Sequence, residues 1–158
     1  MSETRNLPAR DALTGLILTL FRVNNLTLSW GDKLVAPFGL TSARWQILGA
    51  IVSSERPQPV SWLARDLGAN RQNVQRIVND LHKDELVMFA PNPHHRRAQL
   101  VLLTEKGRQA YDAAVETYYP QADMLAEGLS EAELATAHRV MVALRDKLER
   151  ENDAEERA

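Results

Sequence analysis

The segment Leu63-Ala-Arg-Asp-Leu-Gly-Ala-Asn-Arg-Gln-Asn-Val-Gln-Arg76 decides how this chain is read. Gly68 stops a short helix around Ser61–Leu67, and Asn70, whose side-chain oxygen can accept from exposed amides, caps the next one. In that second helix Val74, Ile77, Val78 and Leu81 share one face, while Arg71, Gln72, Asn73, Gln75, Arg76 and Asn79 cover much of the rest. A helix that enters the major groove of DNA needs long donors and acceptors facing outward. Asn and Gln pair with adenine edges, Arg with guanine, and the N-terminal amides with phosphate. Asn70, Arg71, Gln72, Asn73, Gln75, Arg76 and Asn79 are therefore the candidate DNA-reading residues. A solvated polar helix face would look much the same, so the flanking sequence has to choose between the two readings.

Downstream the period changes. Leu86–Ala90 and Gln99–Thr104 are short and rich in Val, Leu and Phe, and the link Pro91-Asn-Pro-His-His-Arg-Arg-Ala98 is turn-like and basic. This reads as a two-stranded hairpin with an extended tip, which must lean on the helices because two strands alone are marginal. His95, Arg96 and Arg97 at the tip are placed to reach phosphates or an adjacent groove. Two short helices followed by such a hairpin make a winged helix-turn-helix pattern.

The rest of the chain is helical in period. From about Arg10 to Phe38 apolar residues recur at i, i+3, i+4 spacing, and Pro37 and Gly39 end that helix. Thr41 caps a second helix, which carries Trp45, Ile47, Leu48, Ile51 and Val52 as far as the Pro57/Pro59 pair. Thr104 can cap a fifth helix reaching toward Leu125, with a bend expected where Pro120 removes a backbone donor. Ser130-Glu-Ala-Glu133 is a capping box, and behind it Leu134, Ala137, Met141, Leu144 and Leu148 form an a/d seam suited to packing against another helix. The acidic segment Glu149–Arg157 is expected to fray. The expected fold is mainly α with a small β-hairpin. A winged helix-turn-helix DNA-binding lobe spans 41–104, a helical dimerisation lobe is built from 7–40 and 105–150, and residues 151–158 form an acidic tail.

Composition narrows the function classes. With 158 residues, 44% apolar and 25% charged, the chain can bury its own core and is not wholly disordered. The absence of cysteine excludes a disulfide scaffold, thiolate zinc ligation, a Cys nucleophile and peroxide sensing through a thiol. Met1-Ser-Glu-Thr-Arg5 shows no secretory apolar region and no apolar run reaches spanning length, so a soluble cytoplasmic protein without membrane association is expected. The net charge of -2 hides an asymmetry: residues 1–59 carry +2, 60–108 carry +3 and 109–158 carry -7. The positive part thus coincides with the winged segment.

These residues, in this order, resemble the MarR (multiple antibiotic resistance regulator) family of bacterial transcription factors. That family's pattern runs roughly as leucine-alanine, a helix-turn-helix of the form S-R-Q-T-V-T-R, a G-L-V strand, a D-x-R-R wing tip and L-T-x-x-G. The matching residues are Leu63-Ala64, Asn70-Arg-Gln-Asn-Val-Gln-Arg76, Leu86-Val87, Arg96-Arg97 and Leu103-Thr-Glu-Lys-Gly107, with Leu40-Thr41, Gln46 and Leu48 opening the second helix. Three departures matter, the first being that the capping-box start often seen in the third helix is missing, with Pro59 and Trp62 at those positions. His94-His95 stands where a wing acid is usual, which removes the salt bridge that commonly braces the loop. Glu85 replaces the usual Gly before Leu-Val, so the fourth helix lacks its customary left-handed terminator.

The resemblance implies a homodimer whose terminal helices interleave and whose two winged helices address a pseudo-palindromic DNA operator, with half-sites ~10 base pairs apart. It also implies a small-molecule pocket between the dimer helices and the DNA-binding lobe, while repression by blocking promoter access is expected because the chain shows no obvious separate segment for contacting polymerase. Trp30, Phe38, Arg44 and Trp45 fall in the segments that would line that pocket, and a cation beside an apolar wall suits a small aromatic or anionic effector. His94 and His95 are adjacent in a turn and point apart, with no Cys and few acids nearby, so no metal site is expected. No strained G-x-S-x-G turn, H-E-x-x-H motif or phosphate-cradling glycine loop is present, so neither an enzyme nor a cofactor is expected. The competing class is a winged helix that docks on proteins without specific DNA binding.

Overall fold

The computed structural model describes residues 7–155, and these fall into two compact units that divide at Tyr118. In the first unit α1 (Leu7–Val35) leads through a single 3-10 turn (Ala36–Phe38) into α2 (Ser42–Ser53). Thr41 caps α2 as expected, its side chain accepting from the Arg44 amide at 3.2 Å. Then follow β1 (Gln58–Pro59), α3 (Val60–Asp66), α4 (Arg71–Lys83), β2 (Val87–Ala90) and β3 (Leu100–Leu103). The helix α5 (Glu105–Ala126) begins in this unit and contains Pro120. The second unit carries α6 (Glu131–Glu155).

The hairpin expected from sequence is present, but the sheet has three strands, ordered β1-β3-β2 and antiparallel throughout. Phe89 pairs with Val101 on one side, and Gln58 pairs with the same Val101 on the other. A strand of two residues is too short to show a period, and its proline argues against a central strand. Pro59 is tolerated because β1 is an edge, where a missing ladder donor does no harm. The third strand makes the wing root part of the helical lobe.

The core sits between α2, α3, α4 and the sheet. Leu48, Val78, Leu81 and Val101 are fully buried there, with Ile47, Leu63, Val74 and Val87 almost so, and Val35 and Ala114 are added from α1 and α5. The apolar face read for α4 is therefore the one that is buried. By contrast α1 leaves Leu18 and Phe21 65% exposed, and in the second unit Leu134 and Leu148 of the α6 seam stand 45% and 63% exposed. The capping box at the start of α6 is formed in both directions: the Ser130 amide donates to the Glu133 carboxylate at 2.8 Å, and the Glu133 amide donates to the Ser130 hydroxyl at 3.3 Å. The Ser130 hydroxyl, which donates to the same carboxylate at 2.6 Å, and after it the Ser130 amide hold the Glu133 carboxyl below its usual pKa. The acidic segment expected to fray from Glu149 instead continues α6 to Glu155, supported by an i,i+4 approach of Arg145 to Glu149; residues 156–158 lie outside the described part.

Candidate nucleic-acid interface

The interface starts at Asn70. Its side-chain oxygen accepts from the Gln72 amide at 2.9 Å and the Asn73 amide at 3.2 Å, so two of the otherwise unpaired donors at the start of α4 are satisfied within the protein. Asn70 therefore acts first as a helix cap, with only its amide nitrogen left over for a ligand. Behind it, Val74, Ile77, Val78 and Leu81 anchor α4 in the core. That burial turns Arg71, Gln72, Asn73, Arg76 and Asn79 to solvent and leaves Gln75 half-buried.

The outward residues are ordered among themselves. Arg76 donates to the Asn73 amide oxygen at 2.9 Å and approaches Asp80 at 3.6 Å, and Gln75 donates to Asn79 at 3.0 Å. Exposed pairs of this kind contribute little to stability and exchange readily for a stronger partner such as phosphate or a base edge. Arg71, Arg96 and Arg97 make no ion pair among the described residues.

The wing is fixed to α4 at its root and braced at its tip. His82, near the end of α4, places Nδ1 3.1 Å from the Val87 carbonyl and sets its ring edge-to-face on Phe89, with centroids 5.0 Å apart. At the tip, the Asn92 side chain donates to the Ala98 carbonyl at 2.9 Å and accepts from the His94 amide at 3.0 Å. The Asn92 amide thus does the bracing that an acid before the arginine pair would do elsewhere. An Asn between two prolines is a turn signature, and that signal was available in Pro91-Asn-Pro93. His95, Arg96 and Arg97 stand exposed on the braced loop.

The helix and wing meet in a groove of ≈190 Å³ lined by Arg71, Gln75 and Asn79 from α4 and Arg97 from the wing, with Ser61 and Phe89 completing its walls. Four of the expected DNA-reading residues are therefore convergent. Gln72, Asn73, Arg76, His95 and Arg96 display their groups outside this groove, along the helix face and at the wing tip.

The turn that ends α4 corrects an expectation. Glu85, in place of glycine, was expected to leave the helix without a left-handed terminator. Its φ is +62°, so the residue adopts that conformation anyway. The Glu85 amide donates to the His82 carbonyl at 3.0 Å and the Leu86 amide to the Leu81 carbonyl at 2.9 Å, the two crossing bonds of a Schellman ending.

Arg44, expected as the cation of a ligand pocket, has a partner of its own. It donates to the Asp84 carboxylate at 2.7 Å and to the Gly39 carbonyl at 3.1 Å, clasping the start of α2 to the end of α4. Trp30 and Trp45 both set their edges against Tyr118, with centroids 6.1 and 5.5 Å apart, and Phe38 packs against the core. Asp84 could not be foreseen as the Arg44 partner, because the two residues are 40 positions apart.

The model of the MarR family matches residues 38–98, the span from the 3-10 turn through the wing tip. The chain belongs to the MarR family. The MarR match covers the helix-turn-helix, all of α4 and the braced loop, so the surface built above is the family's winged helix. An uncharacterized protein of Mycobacterium tuberculosis is 35% identical over 139 residues, covering 85% of this chain and 96% of that one. The transcriptional activatory protein BadR of Rhodopseudomonas palustris is 30% identical over 106 residues, 64% of this chain and 59% of its own length. In fold the chain is similar to the M. tuberculosis transcriptional regulator MosR, solved in complex with DNA. That likeness has a TM-score of 0.73 at 23% identity and covers 84% of this chain and 95% of MosR. The MosR likeness speaks for the fold; it is membership of the family that makes the chain a DNA-binding transcription regulator of the MarR type. Among its described residues, no helix is long and apolar enough to cross a membrane.

Proposed function

We propose that this protein is a homodimeric regulator in the cytoplasm that reads a pseudo-palindromic operator with α4 of each subunit in successive major grooves. The observation that supports this most is the convergence of Arg71, Gln75 and Asn79 with Arg97 of the wing in one groove, on a helix whose other face is locked into the core. Arg71, Gln72, Asn73, Gln75, Arg76 and Asn79 supply base and phosphate contacts, Asn70 positions the start of the helix, and His95, Arg96 and Arg97 reach the flanking phosphates or minor groove. The exposed apolar residues of α1 and α6 supply the surface through which two copies associate. A dimer bound across a promoter occludes it, so repression is the proposed output, with no catalysis and no cofactor involved. A small-molecule effector releases such a complex when it binds better to a conformer whose two reading helices are mis-spaced.

The test is selection from a random duplex pool at about physiological salt, followed by binding measurements on what survives. A two-fold pseudo-palindrome is expected. The double variant Arg71→Ala/Arg76→Ala should then lose about 1–3 kcal/mol for each residue that pairs with a base, with relaxed specificity at those positions. Recovery of no consensus from folded protein, or a double variant with unchanged operator affinity, overturns the reading. A wing used only for docking on proteins would also lack the steep loss of DNA affinity with salt.

A further inference from the structure

His94 and His95 stand beside Arg96 and Arg97 in a loop that contains no acid, Pro91-Asn-Pro-His-His-Arg-Arg-Ala98. Their backbone is held. The His94 amide donates to the Asn92 side-chain oxygen at 3.0 Å, the His95 amide to the Asn92 carbonyl at 3.3 Å, and the His95 carbonyl accepts from the Ala98 amide at 3.1 Å. Their rings are free: both side chains are exposed, and neither imidazole makes a hydrogen bond or ion pair among the described residues. A fixed loop thus presents two titratable rings at the same tip as two arginines, on the surface that faces DNA.

The charges around the tip are positive. Across the groove between the wing and α4, Arg71 lines the same space as Arg97. The strands β1, β2 and β3 carry no charged residue. In α4 the one acid is Asp80, 3.6 Å from Arg76, while His82 is engaged at the wing root with the Val87 carbonyl and Lys83 closes the helix. The one charged residue of α2, which packs on β3, is Arg44, and it is taken by Asp84. In α3, which packs on β1, Arg65 and Asp66 face each other at 3.7 Å. No carboxylate is therefore at hand to stabilise a charged ring at the tip, and the phosphates of a bound duplex would be its first anionic neighbours. Imidazole changes charge between pH 5 and 8, a range in which phosphodiesters and bases keep theirs. A nearby anion favours the protonated ring.

We propose that the wing is a proton-linked DNA contact, in which His94 and His95 bind backbone phosphate as imidazolium and the protein takes up protons as it binds. The sign is fixed by linkage: the complex holds more protons than its separated parts, so affinity for DNA rises as pH falls through the imidazole range. The contact is to phosphate, so the effect is independent of base sequence, and a dimer carries the pair twice, which multiplies it. The proposal rests on the DNA reading, adds His94 to the contacts and makes occupancy of DNA respond to mild acid.

The test measures the affinity of the full-length protein for a mixed-sequence duplex by fluorescence anisotropy, at constant ionic strength from about pH 8 to about pH 6, and repeats it over a range of salt. Affinity should rise by about tenfold or more over that range, with a salt slope steeper by up to about 0.9 for each imidazole that becomes charged on phosphate. The variant His94→Gln/His95→Gln holds the neutral form: it should match the wild type near pH 8 and gain less than about twofold on acidification. The variant His94→Lys/His95→Lys holds the charge on, and at about pH 8 should bind as tightly as the wild type does at about pH 6. Both variants keep His82 and His138, so any response that survives in them belongs to those rings. A wild type indifferent to pH, a full gain retained by the glutamine variant, or a lysine variant no tighter than wild type at high pH each overturns the proposal and leaves the DNA reading standing. Failure to bind any duplex at any pH or salt overturns both.

Discussion

Glu85→Gly is expected to stabilise the protein, by an amount that follows from the turn between α4 and β2. Glu85 sits at φ +62°, fixed there by the crossing bonds from its own amide to His82 and from the Leu86 amide to Leu81. An L side chain in that region costs about 1–2 kcal/mol relative to the right-handed helix, because its Cβ crowds the following carbonyl. Glycine removes that cost but loses more freedom on folding, a penalty of about 0.5–1 kcal/mol. At the middle of both ranges the difference favours glycine by about 0.75 kcal/mol, or roughly 1.5–3 °C in Tm for a chain of this size. Nothing else is lost: the Glu85 side chain is exposed, and the bond its backbone carbonyl accepts from the Thr104 hydroxyl at 2.6 Å is kept by glycine. The assay is thermal and denaturant unfolding at matched protein concentration, since the stability of an oligomer depends on it. Glu85→Ala is the control. Alanine carries the same Cβ, so it should gain nothing, and operator affinity should be unchanged in both variants. Equal gains from alanine and glycine would show that removing a negative charge, not relieving the backbone, is responsible. A loss with glycine would refute the backbone argument outright.

Three other outcomes follow from particular contacts. Gly107→Ala would drive a Cβ into the Leu86 carbonyl and the Leu103 side chain, so a loss of about 2–3 kcal/mol or failure to fold is expected, measured by the same unfolding curves. Asn92→Ala removes the bonds to the Ala98 carbonyl and from the His94 amide; it should change stability by less than about 1 kcal/mol yet lower affinity for specific and non-specific duplexes alike, read by fluorescence anisotropy. The Glu133 carboxyl is held below its ordinary value of 4.5 first by the Ser130 hydroxyl and then by the Ser130 amide, so its contribution is present above that value and is lost as pH falls through the depressed one. The difference in unfolding between wild type and Glu133→Gln should accordingly be clear near neutrality and close in acid. A gap that persists or widens in acid would contradict the capping-box account.

What could be read from the sequence was whatever is decided within a few residues. The caps at Thr41, Asn70 and Ser130 bond amides two or three positions away, and the apolar face of α4 repeats within two turns, so each was visible locally. The strand β1 was not visible, because a two-residue edge has no period and its existence depends on β3, some 40 residues later. For the same reason the polar face of α4 could be listed but its convergence with Arg97 could not. Glu85 is the position where the local rule failed, and its neighbours show why the chain tolerates it. Thr104 bonds the Glu85 carbonyl, Lys106 bonds the Asp84 carbonyl at 2.7 Å, Gly107 lies against the Leu86 carbonyl, and Arg44 holds the Asp84 carboxylate. Contacts from α2 and α5 thus over-determine one turn, and the strain of a side chain at positive φ persists only under such over-determination. These contacts fix where α4 ends, while Val74, Ile77, Val78 and Leu81 fix how it lies on the core. The placement of α4 therefore depends on core partners distant from it in sequence, while the chemistry of its face is local.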